Sequence, residues 1–115
     1  MEREIKFRLW DSYFNEYSEY HLSRTMVRDI NTYTRFLFEQ FTGLKDKNGK
    51  EIYEGDILRT PQAFSDLIIV YNNESAGFGY RYIDKPELPT SGSMQTLDPN
   101  LISILGNIHQ NPELI

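Results

Sequence analysis

Lys47-Asn48-Gly49-Lys50 is the stretch from which the architecture of this chain is read. Asn-Gly takes up readily the two positive φ angles that a tight two-residue reversal demands, so a hairpin is expected here with an antiparallel strand on each side. Upstream, residues 35–41 are rich in β-formers and set Phe36, Phe38 and Gln40 opposite Leu37, Glu39 and Phe41. Apolar groups on both faces predict a strand half-buried on each side. Downstream, Glu51-Ile52-Tyr53-Glu54-Gly55-Asp56-Ile57-Leu58 continues the pattern. Gly55 releases the backbone so that Ile57 and Leu58 enter a further strand, which Pro61 ends.

The same alternation of apolar runs and turn residues extends in both directions. Residues 66–71 and 78–83 read as hairpin partners joined by Asn72-Asn73-Glu74-Ser75. Near the start, Ile5, Phe7 and Leu9 alternate with Lys6, Arg8 and Trp10, which predicts a strand that buries the first set. Asp11 to Asn15 reads as a turn, and residues 17–27 and 28–34 as irregular. Residues 84–99 hold Pro86, Pro89, Gly92 and Pro99 among small polar groups and predict a mobile loop. Residues 102–108 form a last strand interrupted at Gly106, closed off by Asn111-Pro112. Short strands with punctuating turns and no long helix predict an all-β barrel or sandwich, a small partly open barrel being preferred, with one short helix in the middle section.

At 115 residues the chain fits a single domain spanning 1–115, and 39% hydrophobic with 25% charged residues is the balance of a globular protein. Aromatics reach 14%, and such large rings let a small domain bury substantial apolar area as core. A net charge of −5 offers no global attraction for nucleic-acid phosphates or anionic lipid. The absence of cysteine excludes disulfides, thiolate metal sites and cysteine nucleophiles. The N-terminus is charged rather than signal-like, and the aliphatic run Leu67-Ile68-Ile69-Val70 falls far short of the roughly 20 residues a membrane helix needs. A soluble, cytoplasmic protein without membrane association is expected.

Several groups of residues invite a chemical reading. Asp46, Asn48 and Gly49 resemble part of a calcium loop, but Leu44 and Gly55 stand where that loop needs its terminal acids, and Lys45, Lys47 and Lys50 oppose a cation. No metal is expected. Glu51, Glu54 and Asp56 are expected to solvate a strand edge or accept backbone N–H bonds rather than to act as paired acids, with Asp56 the structural member. His21 and His109 are too few for a metal cage or triad and read as solvated or hydrogen-bonded. Gly77-Phe78-Gly79 lacks the third glycine of a nucleotide loop and predicts a bulge or a close strand crossing. No cofactor is expected. Lys45, Lys47 and Lys50 at a protruding turn, with Arg8, Arg35, Arg59 and Arg81 beside Trp10, Tyr53 and Tyr82, outline a single-stranded nucleic-acid surface. The acidic total weighs against it.

Three blocks carry a family resemblance: Arg3-Glu4-Ile5-Lys6-Phe7-Arg8-Leu9-Trp10-Asp11, the stretch from Gln40 to Ile57 that includes Thr42-Gly43-Leu44-Lys45-Asp46-Lys47-Asn48-Gly49-Lys50, and Ile104-Leu105-Gly106-Asn107-Ile108-His109-Gln110-Asn111-Pro112-Glu113-Leu114. In order and placement they resemble the YopX family of phage and prophage proteins. The resemblance implies a mainly β fold with a small barrel and a gene carried by a bacteriophage or prophage, and it supplies no catalytic motif. Residues 13–33 and 84–99 depart from the family's pattern. The fold class expected is therefore all-β: a small, partly open, SH3-like barrel with extra strands. The function expected is a noncatalytic adaptor that recognises a phage or host protein, or a second copy of itself, through strand edges and aromatic-bearing loops. Trp10, Lys45, Lys47, Lys50 and Tyr53 are the residues expected on its interaction surface. A single-stranded nucleic-acid binder is the alternative. An enzyme would require a pocket where carboxylates or His109 meet with perturbed pKa values.

Overall fold

A computed structural model describes residues 5–18 and 36–115. Its strands are β1 (Phe7–Asp11), β2 (Glu16–Tyr17), β3 (Phe36–Lys45), β4 (Glu51–Tyr53), β5 (Asp56–Arg59), β6 (Leu67–Asn72), β7 (Gly77–Tyr82), β8 (Gly92–Ser93) and β9 (Ser103–Asn107). They form two antiparallel sheets, ordered β2-β1-β3-β4 and β8-β7-β6-β5-β9, the second curled into a half-barrel. The all-β expectation holds. Among the described residues the helical segments are three short 3-10 turns, Met94–Thr96, Pro99–Leu101 and Pro112–Leu114, and the stretch 28–34, the candidate cap of a short helix, lies outside the described residues. No helix among the described residues is long and apolar enough to cross a membrane.

The reversal at Asn48-Gly49 joins β3 to β4 as expected, but through a wider loop. Only Gly49 has positive φ there, +79°. The reason is Asp46, whose buried carboxylate takes over part of the turn's hydrogen bonding: its Oδ1 accepts from the amides of Asn48 and Lys50, both at 2.9 Å. Its Oδ2 accepts from the Ile104 amide at 3.2 Å, and the Lys47 amide donates to the Ile102 carbonyl at 3.0 Å. The hairpin loop is thereby bolted to β9, which ties the first sheet to the end of the second.

The apolar core lies inside the half-barrel: Ile52, Leu58, Leu67, Ile69, Met94, Leu97 and Ile102. Phe78, Tyr80 and Tyr82 pack against it half-buried, so the rings line the core more than they fill it. Cross-strand register places Leu67 opposite Tyr82, Ile69 opposite Tyr80 and Tyr71 opposite Phe78, as expected of the β6–β7 hairpin. Residues 84–99 are not simply a loop. Their second half supplies β8, paired with β7, and two core anchors, Met94 and Leu97, whose burial fixes the segment. Gly79 sits where β7 passes close to β8, the Gly92 carbonyl oxygen lying 2.7 Å from where a Cβ would stand. Along β9, Ile57 pairs with Gly106 but Leu58 with Ile104, so Leu105 is the extra residue of the expected interruption.

β1 corrects the sequence reading. Ile5 is 65% and Phe7 40% exposed, and of the expected buried set only Leu9 is enclosed. Trp10, on the face expected outside, is 6% exposed. That face carries a charged side chain inward as well, which alternation alone cannot reveal. The irregular readings beyond Ser18 and His21 lie outside the described residues.

Candidate functional site

Along β1, Arg8 and Trp10 stand two residues apart and so share a face. β3 pairs with β1 in a register that sets Glu39 opposite Arg8, and Leu37 opposite Trp10. The turn at Gly55 then delivers Asp56 to the same place at the start of β5, and the turn after β9 delivers His109. β3 and the turn into β5 thus meet the Arg8 guanidinium, and the turn after β9 joins them through Glu39. Arg8 Nε donates to Glu39 Oε1 at 2.8 Å, and Arg8 Nη2 donates to Asp56 Oδ1 at 2.7 Å and to the Glu54 carbonyl at 3.1 Å. Tyr17 Oη donates to Glu39 Oε1 at 2.8 Å, and the Tyr53 amide donates to Asp56 Oδ2 at 2.8 Å. His109 Nε2 lies 3.2 Å from Glu39 Oε2, where against a carboxylate it donates. Every carboxylate oxygen of Glu39 and Asp56 therefore holds an internal donor.

Rings enclose this knot of charge. The Arg8 guanidinium lies over Tyr17 at 4.6 Å and over Tyr53 at 4.8 Å. His109 stacks on Trp10 with centroids 4.6 Å apart and planes 9° from parallel, and Tyr17 meets Trp10 edge-on at 5.0 Å. The amides of His109 and Gln110 both donate to Asn107 Oδ1, which holds the turn that presents the imidazole. Gly55 is required twice over: its φ is +83°, and a Cβ there would run into the Glu39 carboxylate.

Burial and pairing contend in the knot. Burial works to lower the pKa of Arg8, but Asp56 and then Glu39 outweigh it and hold the guanidinium above its ordinary value. Burial raises Asp56 against the opposing pull of Arg8. Burial also raises the Tyr17 phenol, with Arg8 opposing and Glu39 adding to the rise, so that it stays protonated and serves as a donor. A single guanidinium balancing two enclosed carboxylates is an arrangement that fixes strand positions: removal of one partner strands the others without compensation.

The sequence-predicted surface residues are placed apart. Lys45, Lys47 and Lys50 are exposed around the hairpin loop. Trp10 is buried and cannot serve as an exposed ring, because β1 turns it inward onto His109. Tyr53 is half-buried, packed on Phe41 and covered by Arg8, with its hydroxyl 3.4 Å from Glu51 Oε1. Glu51 pairs with Lys6, and Glu54 Oε1 accepts from the Gln40 amide at 2.9 Å, so these acids do not converge with Asp56. Arg59 is bound to Asp66 through both Nε and Nη2. Glu39 and Tyr17 are the members that sequence reasoning missed. The available signal was Glu39 itself, the one charged residue of the aromatic-rich stretch between Leu37 and Phe41.

Beside the knot, a groove of about 400 Å³ runs from β3 across β6 to β7. Leu37 and Tyr71, 47% and 42% exposed, form its apolar walls, Glu39 and His109 lie at one side, and Arg81 lines it from β7. Two further grooves of about 490 and 600 Å³ lie around Phe64 and around Phe78.

A family model described as YopX protein matches residues 16–115. Among solved structures, the crystal structure of protein EF1440 from Enterococcus faecalis is similar at a TM-score of 0.63 and 28% identity, with 98% of this chain and 99% of that chain covered. No curated protein matches the chain.

Proposed function

From the premise that this chain belongs to the YopX family, we propose that it is a noncatalytic protein-interaction module, encoded by a phage or prophage and acting in the cytoplasm of the bacterial host. One observation carries the noncatalytic reading. The acids and the histidine that an enzyme would use do meet, at Glu39, Asp56 and His109, but each carboxylate oxygen is occupied by a donor from within the protein. A general base needs a lone pair directed at substrate. The knot instead braces the two sheets, and the apolar groove beside it is the surface left for a partner. Strand edges contribute less than the sequence suggests. β2, β4 and β8 are two or three residues long, and the hairpin loop occupies part of the outer edge of β9.

The test is a photoreactive residue at Leu37 or Tyr71 in the full chain, expressed in a lysogenic host. One recurring crosslinked protein that the purified chain binds again is the expected result. Crosslinking no more frequent than from a control position on the opposite surface would sink the reading.

A second reading, a single-stranded nucleic-acid binder, draws on Phe64, which stands fully exposed in a groove also lined by Lys47 and Arg59. It requires salt-sensitive retention of oligonucleotides that Phe64→Ala and Lys47→Glu both weaken. No retention at low salt ends it.

A further inference from the structure

Resting on the docking role just given to the groove between β3 and β7, we propose that Arg81 is its specificity residue and that the occupant is a partner-protein segment carrying an Asp or Glu side chain next to an apolar one. Arg81 lies opposite Ile68 in the β6–β7 register and lines the groove, together with Leu37, Tyr71 and Ile108. Its Nε is buried and has no hydrogen-bond partner. The contrast with the other arginines is direct. Arg8 is held by Glu39 and Asp56, and Arg59 by Asp66, whereas the Arg81 guanidinium forms no ion pair among the described residues.

The two acids that line the same groove already accept from other donors. Glu39 accepts from Arg8, Tyr17 and His109, and Glu54 accepts from the Gln40 amide. An enclosed guanidinium N–H without an acceptor is costly to keep, and a carboxylate is the acceptor whose planar geometry matches the guanidinium fork. The apolar walls beside it add a pocket for a neighbouring aliphatic side chain. Neither of the other grooves offers this: the one near Phe64 has its arginine paired with Asp66, and the one near Phe78 is lined by no charged residue. A polyphosphate strand fits less well, since the chain carries a net −5 and Arg81 is the one arginine or lysine lining the groove.

The experiment selects short random peptides on the immobilised full chain and measures the enriched ones in solution. Enriched peptides should carry Asp or Glu beside Leu, Ile or Phe. Replacement of that acid by its amide should weaken binding by about tenfold or more, and Arg81→Gln should weaken the acidic peptide similarly while leaving the amide peptide unaffected. Arg81→Leu should abolish the acid preference with an unchanged or higher melting temperature, because it removes an unsatisfied buried donor. Peptides that need Leu37 and Tyr71 but bind acid and amide equally would overturn the role of Arg81 and leave the docking groove standing. Binding indifferent to Leu37→Asp and Tyr71→Asp, or Arg81-dependent binding of an oligonucleotide instead of peptide, would overturn both. A marked loss of stability in Arg81→Leu would make Arg81 a structural residue and end the proposal.

Discussion

The inside of the half-barrel and the knot around Arg8 bury their side chains on opposite principles. Around Leu58 the contacts are aliphatic and non-directional, so any group of similar volume fills the space. Around Arg8 the contacts are hydrogen bonds of fixed direction to Glu39 and Asp56, and only a forked cation satisfies them together. The core therefore tolerates exchange at constant volume, whereas the knot does not and fixes which strands lie where: β1, β3 and β5 meet at one guanidinium, and the turn after β9 joins them through Glu39.

The largest expected effect breaks the knot. Arg8→Ala should cost about 3–5 kcal/mol in urea unfolding, because Glu39 and Asp56 are left enclosed without their cation. Arg8→Lys should lose most of the same amount, since an ammonium cannot reproduce the fork. Against it, Leu58→Met should cost less than about 1.5 kcal/mol despite the complete burial of Leu58. Equal tolerance of the two conservative changes would erase the distinction drawn between the regions.

A middle-sized effect concerns Asp46, the hydrogen-bonded carboxylate at the hairpin loop. Burial would raise its pKa, but the amides of Lys50, Ile104 and Asn48 overcome this and hold it below the ordinary value of 3.8. Its stabilisation is therefore complete above that ordinary value and is lost as pH falls through the lower folded one. Asp46→Asn should cost about 1.5–3 kcal/mol at neutral pH and flatten the acid limb of the stability profile relative to the parent. An unchanged acid limb would show that the loop is not bolted to β9 through this side chain.

The smallest effect is at the rim of the knot. His109→Ala removes the ring stacked on Trp10 and one donor to Glu39, and should cost about 0.5–1.5 kcal/mol. Trp10 is the sole tryptophan, so its emission should shift to the red as water reaches the indole. A silent emission spectrum would place His109 outside the packing of the knot.

Much of the β framework was legible because its signals are local. Asn48-Gly49, Gly55, Pro61 and the polar turn Asn72-Asn73-Glu74-Ser75 punctuate the chain at or within a residue or two of where the strands end, and the apolar run 67–70 announces β6. The same local reading failed where a distant partner decides. Ile5 and Phe7 lie exposed because the opposite face of β1 is drawn inward by Glu39, Asp56 and His109. Met94 and Leu97 anchor a segment whose prolines and small polar residues read as a loop. The groove was invisible for the same reason, since Leu37 and Arg81 come from different sheets and share no sequence period.

What the sequence determined alone was an all-β chain, its reversals and its kinship, because turn chemistry and side-chain alternation act over a few residues. What only the tertiary structure decided was which charges meet and which is left over. Arg8 and Asp56 stand 48 residues apart. Charge pairing at such separation depends on strand register and sheet closure, and these exist only once the chain has folded.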